Sequence, residues 1–302
     1  MAQTIACANQ KGGVGKTTTV VNLATYLALA GERVLIVDLD PQGNATSGFC
    51  IDRSVLDVTL YDVILGDVAM AATILPTAVD RCAIVPASVS LAGSEVELAT
   101  VDQRERRLDR VLAPIKAGYD YILLDCPPSL GLLTVNALTA ADSVLIPTQC
   151  EYYALEGLTQ LIATLNLVRD NLNPALAIKG VVLTMYDART NLSADVAAEV
   201  RNHLGGAVFE TIIPRSVRLS EAPSFGLPIA LYRDDSRGAI AYAALAAELR
   251  RRDGHATPIG SIVPGASAPS TTSPTPASVA SVASLASLDP APRPHVAVGG
   301  AR

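Results

Sequence analysis

One stretch constrains this chain more than any other: Gln10-Lys11-Gly12-Gly13-Val14-Gly15-Lys16-Thr17-Thr18-Thr19. A short apolar run at 4–8 precedes it and reads as a strand; residues 20–30 follow and read as a helix. A strand, a glycine-rich turn and a helix N-terminus in that order form a cradle for phosphate. The N–H groups of the turn converge, and the helix dipole adds partial positive charge. Glycine is needed because a Cβ would hold the backbone away from the anion. In such a cradle Lys16 reaches the β- and γ-phosphates and the Thr17 hydroxyl ligates Mg²⁺. The expected nucleotide contacts within the cradle are therefore Gly12, Gly13, Val14, Gly15, Lys16, Thr17 and Thr18.

The pattern after the loop agrees with it. A second apolar run at 33–38 closes in Asp38-Leu39-Asp40-Pro41-Gln42-Gly43-Asn44, and further runs lie at 82–86, 121–125, 143–147, 178–185 and 208–213. Helical patterns lie between them, most clearly at 131–140, 154–172, 192–204 and 238–251. Continuous apolar strands alternating with helices predict an α/β protein of the P-loop NTPase fold: a mostly parallel sheet with helices on both faces. Ligands in such folds sit beyond the strand C-termini. The glycine loop, the 38–44 segment and Asp125 all fall there. Asp125, closing the 121–125 run, reads as the carboxylate that holds Mg²⁺ directly or through water. Ser129 reads as the N-cap of the helix from Gly131.

Composition sets the boundaries. Half of the 302 residues are apolar, enough for one large core, and we expect a nucleotide-binding domain at 1–252. From residue 254 the chain is Ala, Ser, Pro, Thr, Val and Gly with almost no charge, so 253–302 reads as a disordered, flexible tail. The net charge of −6 permits no more than a local basic face. Arg104, Arg106, Arg107 and Arg110 alternate with Glu105 and Asp109 and read as a solvated helical face. No signal peptide is visible, and no apolar run approaches the ~18–20 residues needed to span a bilayer. A cytoplasmic protein without stable membrane association is expected. The five cysteines are widely separated, contain no C-x-x-C pair and read as buried reduced thiols.

The loop departs from the ordinary pattern G-x-x-x-x-G-K-[ST]. Gln10 stands where the first glycine falls, and a second lysine, Lys11, sits at the mouth. This K-G-G-x-G-K-[ST] form, the deviant Walker A, resembles the ParA/MinD group of ATPases. The segments Glu151-Tyr152-Tyr153-Ala154-Leu155-Glu156-Gly157, Leu183-Thr184-Met185-Tyr186-Asp187-Ala188-Arg189-Thr190 and 217–226 are similar to the Soj-type ParA proteins. The resemblance covers roughly residues 5–249. It implies Mg²⁺-dependent hydrolysis of ATP to ADP and phosphate, with Lys11, Lys16 and Asp40 as the catalytic residues. Lys11 would cross a dimer interface to the partner's nucleotide, and Gly12 would lie at the seam. Asp40 would position the attacking water, with Asp38 nearer the Mg²⁺ shell alongside Thr17 and Asp125. Pro214 and Ser216 would contact adenine; the family commonly has Asn where Ser216 stands. Met185 is a weaker candidate.

For a ParA-type protein the resemblance further implies a homodimer, formed when ATP is bound, that binds double-stranded DNA without sequence preference. Arg189 and Arg218 would carry this contact, and Arg215 and Arg233 would extend the patch. The implied role is a chromosome- or plasmid-partitioning switch on the nucleoid, with a ParB-like centromere-binding partner stimulating hydrolysis. The alternative is a positioning ATPase for another cargo, on the nucleoid or, as in MinD, on the membrane. The last helix ends in Arg250-Arg251-Arg252 but is alanine-rich, without the basic amphipathic pattern of a membrane helix. A metal-cluster carrier of the same superfamily would need paired cysteines.

Overall fold

The computed structural model describes residues 2–255, apart from Asp67 and Tyr153. From residue 256 onward the expected tail lies outside the described residues. In chain order the elements are β1 (Gln3–Cys7), α1 (Lys16–Leu29), β2 (Val34–Asp38), α2 (Asn44–Ser47), α3 (Leu60–Leu65), β3 (Leu75–Pro76) and β4 (Cys82–Val85). Then come α4 (Leu91–Glu97), α5 (Arg107–Leu112), β5 (Tyr121–Asp125), α6 (Leu132–Ala140), β6 (Ser143–Gln149), α7 (Ala154–Asn171) and β7 (Ala177–Thr184). The chain continues through α8 (Asn191–Leu204), α9 (Val217–Glu221), α10 (Ile229–Tyr232) and α11 (Arg237–Arg252).

The strands form one sheet in the order β3-β4-β2-β5-β1-β6-β7, parallel except where the short edge strand β3 runs against β4. The expected parallel α/β architecture is therefore present. Alternation along the strands shows why both faces are covered. Leu35 and Val37 of β2, Ile122 and Leu124 of β5, and Ala6 of β1 enter the core beneath α3, α5, α6, α7 and α8. Val34, Ile36, Tyr121, Leu123 and Ile5 enter the opposite core, beneath α1 and α11. Every residue of β2 and β5 is buried, so these central strands read as unbroken apolar runs.

The 208–213 run departs from its expected strand character. It lies alongside β7 but is recorded there only as isolated parallel bridges, Val181 to Val208 and Tyr186 to Pro214. The Phe209 and Ile213 N–H groups donate to Val181 and Leu183. Between them, the Glu210 and Thr211 N–H groups instead donate to the Glu248 carboxylate of α11, at 2.9 Å each. A charged acceptor outbids a neutral carbonyl for these two donors, and the ladder is interrupted.

Three smaller expectations are also revised. The arginine run is a solvated face only in part: Arg110 is exposed, but Arg106 and Arg107 donate to the carbonyls of Leu172 and Leu65. The N-cap of α6 is Gly131, not Ser129, and the Leu133 N–H is met at 3.2 Å by Glu95, reaching over from α4. Cys7, Cys82, Cys126 and Cys150 are buried free thiols, but Cys50 is exposed.

Polar groups close the N-terminal end of the sheet. Glu32 accepts from Arg250 Nε at 2.9 Å and pairs with His255 at 3.2 Å. The Tyr121 hydroxyl donates to Asp253 at 3.0 Å, and Asp253 pairs with Lys179. Residues just beyond α11 are thus still fastened to the folded core. Among the described residues no helix is long and apolar enough to cross a membrane.

Candidate nucleotide site

Three segments converge at the C-terminal end of the sheet because β5, β1 and β2 are neighbours there: β1 pairs with β5 in register Cys7 to Asp125, and β2 pairs with β5 in register Asp38 to Asp125. The loop from β1 turns through Gly13 at φ +73° and Gly15 at φ +88°, conformations that a Cβ would strain. The helix starts at Lys16, four residues before the periodic pattern becomes visible in the sequence. Its N-cap is Gly15, which has no side chain to cap the first turn. The leading N–H groups of α1 therefore face an outside acceptor, and the helix dipole favours an anionic one.

Side chains from distant parts of the chain hold the loop. Asn9 accepts from the Lys11 N–H at 3.0 Å and donates to the Pro147 carbonyl at 2.7 Å. Thr184, at the end of β7, donates to the Val14 carbonyl at 2.9 Å. Lys16, 7 % exposed, donates its ammonium back across the loop to the Lys11 carbonyl at 3.2 Å. Lys11 itself points outward, its ammonium paired with Glu151 beyond β6, and Gln149 braces Glu151 from the other side. Asn9, Thr184 and Glu151 carry no local sequence signal for these roles, since their partners are far away in the chain.

The carboxylates differ sharply in how they are satisfied. Asp38 is fully buried, and its oxygens accept three hydrogen bonds: from Asp40 N–H at 3.2 Å, Thr46 N–H at 2.8 Å and Thr46 Oγ1 at 2.7 Å. Burial raises its pKa even so. It ties the turn after β2 to α2. Asp40, 7 % exposed, accepts from the Gln42 N–H at 2.9 Å through Oδ1, while its carbonyl accepts from the Gly43 N–H at 2.8 Å. Asp125 is also fully buried, but neither of its carboxylate oxygens has a hydrogen-bond partner. Burial, then repulsion from Asp38, drives its pKa well above the carboxylate range; the Thr17 hydroxyl beside it and the Lys16 ammonium pull the other way.

An unpaired carboxylate in the interior is costly unless something positive joins it. Thr17 hydroxyl, Asp125 carboxylate and a phosphate oxygen from the adjacent cradle make an all-oxygen donor set of the kind hard divalent cations take. The residues present therefore fit Mg²⁺, with Asp125 better placed to accept it than Asp38, whose oxygens are already engaged.

The remaining predicted residues lie around this centre. The Tyr186 to Pro214 bridge and the Arg215 N–H to Tyr186 carbonyl bond at 2.9 Å bring the loop after β7 beside 214–218. Thr184, just before this loop, bonds the Val14 carbonyl of the glycine loop. Met185 takes φ +52°, an unusual value for a side-chain-bearing residue. Ser216 forms the N-cap of α9 without using its side chain. On the same two segments, Arg189 is paired with Asp187 through 2.8 and 2.6 Å bonds, its side chain 86 % exposed, and Arg218 is paired with Glu221 at 2.7 Å. Arg215 lies near enough to Asp187, and Arg233 to Glu221, to lower each carboxyl further. Two acids thus stand among four arginines on adjoining segments.

Comparison with known proteins agrees with this geometry. A family model described as an AAA domain (AAA_31) matches residues 2–178. The chain is 56% identical over 249 residues to the sporulation initiation inhibitor protein Soj of Bacillus subtilis (strain 168), a match covering 82% of this chain and 98% of that protein. It is 55% identical over 249 residues to the chromosome partitioning protein ParA of Myxococcus xanthus (strain DK1622), covering 82% and 88%. Among solved structures, a protein titled cobyrinic acid a,c-diamide synthase from Mycobacterium smegmatis, with bound ATP analog and magnesium, superposes with a TM-score of 0.74 at 40% identity, covering 84% of this chain and 96% of that one. The chain belongs to the Soj/ParA family of chromosome-partitioning proteins.

Proposed function

We propose that residues 1–252 form an ATP-driven DNA-partitioning switch. The observation that carries the reading is the orphaned, buried Asp125 carboxylate beside Thr17, at the foot of an uncapped glycine-loop helix. Lys16 and the N–H groups of Gly13 to Thr18 take the phosphates of ATP. Thr17 and Asp125 hold Mg²⁺, which when bound neutralises charge on the phosphate oxygens. Asp40 orients the attacking water, and Asp38 keeps the turn that carries Asp40 in register. Pro214 and Ser216 pack against adenine.

Phosphoryl transfer asks for a cation at the developing charge rather than a strong base. Lys11 supplies it in trans: on ATP-driven homodimerisation it leaves Glu151 and reaches the partner's nucleotide. Within one chain a Cβ at Gly12 would meet nothing closer than Pro128 Cβ at 3.9 Å. Gly12→Val is therefore expected to fold and bind ATP but to stay monomeric in size-exclusion chromatography; a normal dimer would remove Gly12 from the seam.

The dimer doubles the arginine patch, and phosphates of non-specific DNA displace Asp187 and Glu221 from Arg189 and Arg218. Exposed ion pairs of this kind add little to stability, so the exchange costs the fold little. A ParB-like partner stimulates hydrolysis and returns the protein to the DNA-free state. The deciding experiment is binding to an unrelated duplex, with and without ATP, across a salt series. Binding that requires ATP and falls steeply with salt supports the nucleoid-based switch. Absence of binding in every state would refute the DNA role.

A further inference from the structure

The turn that carries Asp40 is held from one side by Asp38, through the Asp40 N–H. We infer that Arg53 holds it from the other side and is a positioning residue for Asp40. Arg53 Nη1 donates to the Pro41 carbonyl at 3.3 Å. Its side chain also lies directly against Gly43: a Cβ there would stand 2.7 Å from both Cδ and Cζ of Arg53. Gly43 takes φ +63°, so glycine serves two needs at one position: a left-handed turn and room for the guanidinium. The turn's internal bonds, Gly43 N–H to Asp40 carbonyl and Gln42 N–H to Asp40 Oδ1, lie under this contact.

Arg53 can act as a fixed brace because the segment bearing it is anchored. Phe49 is 4 % exposed in the core beneath α1. Cys50, at φ +58°, packs so closely on Gly226 that a Cβ there would stand 2.7 Å from Cys50 Cβ. Asp52 accepts from the Ser54 N–H at 2.9 Å and Ser54 Oγ at 2.7 Å, which fixes the short 3₁₀ turn Arg53–Val55. On its far side Arg53 borders a cavity of about 710 Å³ that Asp52, Asp57, Thr59 and Ser88 also line. A guanidinium suits this place, since its plane can lie on a glycine while one N–H reaches a carbonyl. Lysine offers the reach without the plane.

The consequence for hydrolysis rests on the ATPase reading above; the consequence for the turn does not. The test compares full-length Arg53→Ala and Arg53→Lys with the unaltered protein in two measurements. Amide hydrogen exchange without nucleotide should show Gln42 and Gly43 exchanging at least about tenfold faster in Arg53→Ala, with α1 unaffected and Arg53→Lys between. Steady-state kinetics should show kcat for MgATP falling by about ten- to a hundredfold in Arg53→Ala, as expected for a displacement near 1 Å, with KM nearly unchanged and partial recovery in Arg53→Lys. Unchanged exchange would overturn the inference whether or not the unaltered protein hydrolyses ATP. Faster exchange with an unchanged kcat, or a raised KM alone, in an active protein would overturn the link to Asp40. An unaltered protein without ATPase activity would refute the ATPase reading, while the exchange data still decide whether Arg53 braces the turn.

Discussion

The five residues of β5 connect two buried polar sites that were solved in opposite ways. At its first residue, Tyr121 donates to Asp253, which pairs with Lys179, and Glu32 nearby pairs with Arg250 and His255. At its last residue, Asp125 is just as buried, no hydrogen bond of ordinary length reaches either of its oxygens, and only the Thr17 hydroxyl and the Lys16 ammonium lie near enough to favour its charge. The closed end satisfies its charges within the chain and fastens the end of α11. The open end leaves a carboxylate, a lysine and an uncapped helix N-terminus facing one place, where a charged ligand can complete them. Among the described residues Thr4 Oγ1, near the start of β1, and Arg107 Nε also lack a partner, but Asp125 is the one carboxylate in that state, and its place beside the glycine loop marks a binding site.

The sharpest way to break this comparison is at the closed end. Glu32→Ala removes a carboxylate partner of buried Arg250 and should lower unfolding free energy by about 3–5 kcal/mol in urea titration, with nucleotide binding retained until unfolding. A neutral effect would show that the clasp contributes nothing. Next in size, Lys16→Ala should weaken ATP binding by at least about a hundredfold, roughly 2.7 kcal/mol, measured calorimetrically, while the melting temperature stays close to that of the unaltered protein. Normal ATP affinity would contradict the phosphate assignment.

Glu248 tests an intermediate case, a buried acid that accepts from two backbone N–H groups and pairs with Arg252 at 2.8 Å. Burial alone would raise its pKa, but the Thr211 and Glu210 N–H groups bring it below the ordinary value. An acid depressed in the folded state adds stability above its unfolded pKa and loses it as pH falls through the folded one. Glu248→Gln should therefore cost about 1–3 kcal/mol at pH 7 and progressively less below the usual glutamate range. A pH-independent loss would point to packing instead. The smallest effect belongs to the open end. Asp125→Asn removes a buried carboxyl that lacks an ordinary hydrogen bond and should leave the nucleotide-free protein unchanged or about 1 kcal/mol more stable, while abolishing the Mg²⁺-dependent gain in melting temperature with ATP. Clear destabilisation without nucleotide would show that Asp125 has a structural partner.

Much of the site was legible because its signals are local. The glycines at 12, 13 and 15, the two lysines and the following hydroxyls sit within nine residues, and each answers to the geometry of a strand–turn–helix. Asp38, Asp40 and Asp125 were found because strand-terminal acids fall at one end of a parallel sheet. Their unequal satisfaction was not legible. Nothing in the D-L-D-P-Q-G-N segment says that Thr46 occupies Asp38, or that Asp125 is left without a partner. Ser129 looked like a helix cap by position alone, and Glu95 took the role from another helix.

By itself the sequence determined the alternation of strands and helices, the phosphate loop and the family, because hydrophobic period and turn chemistry act over a few residues. Tertiary structure alone decided which polar groups are used up and which remain free. It drew Thr184 and Asn9 onto the loop, set Glu151 against Lys11, laid Arg53 on Gly43 and broke the 208–213 strand with Glu248. Those contacts join residues brought together by strand order and helix packing. Periodicity records that a residue faces the core, and only the assembled fold records which partner waits there.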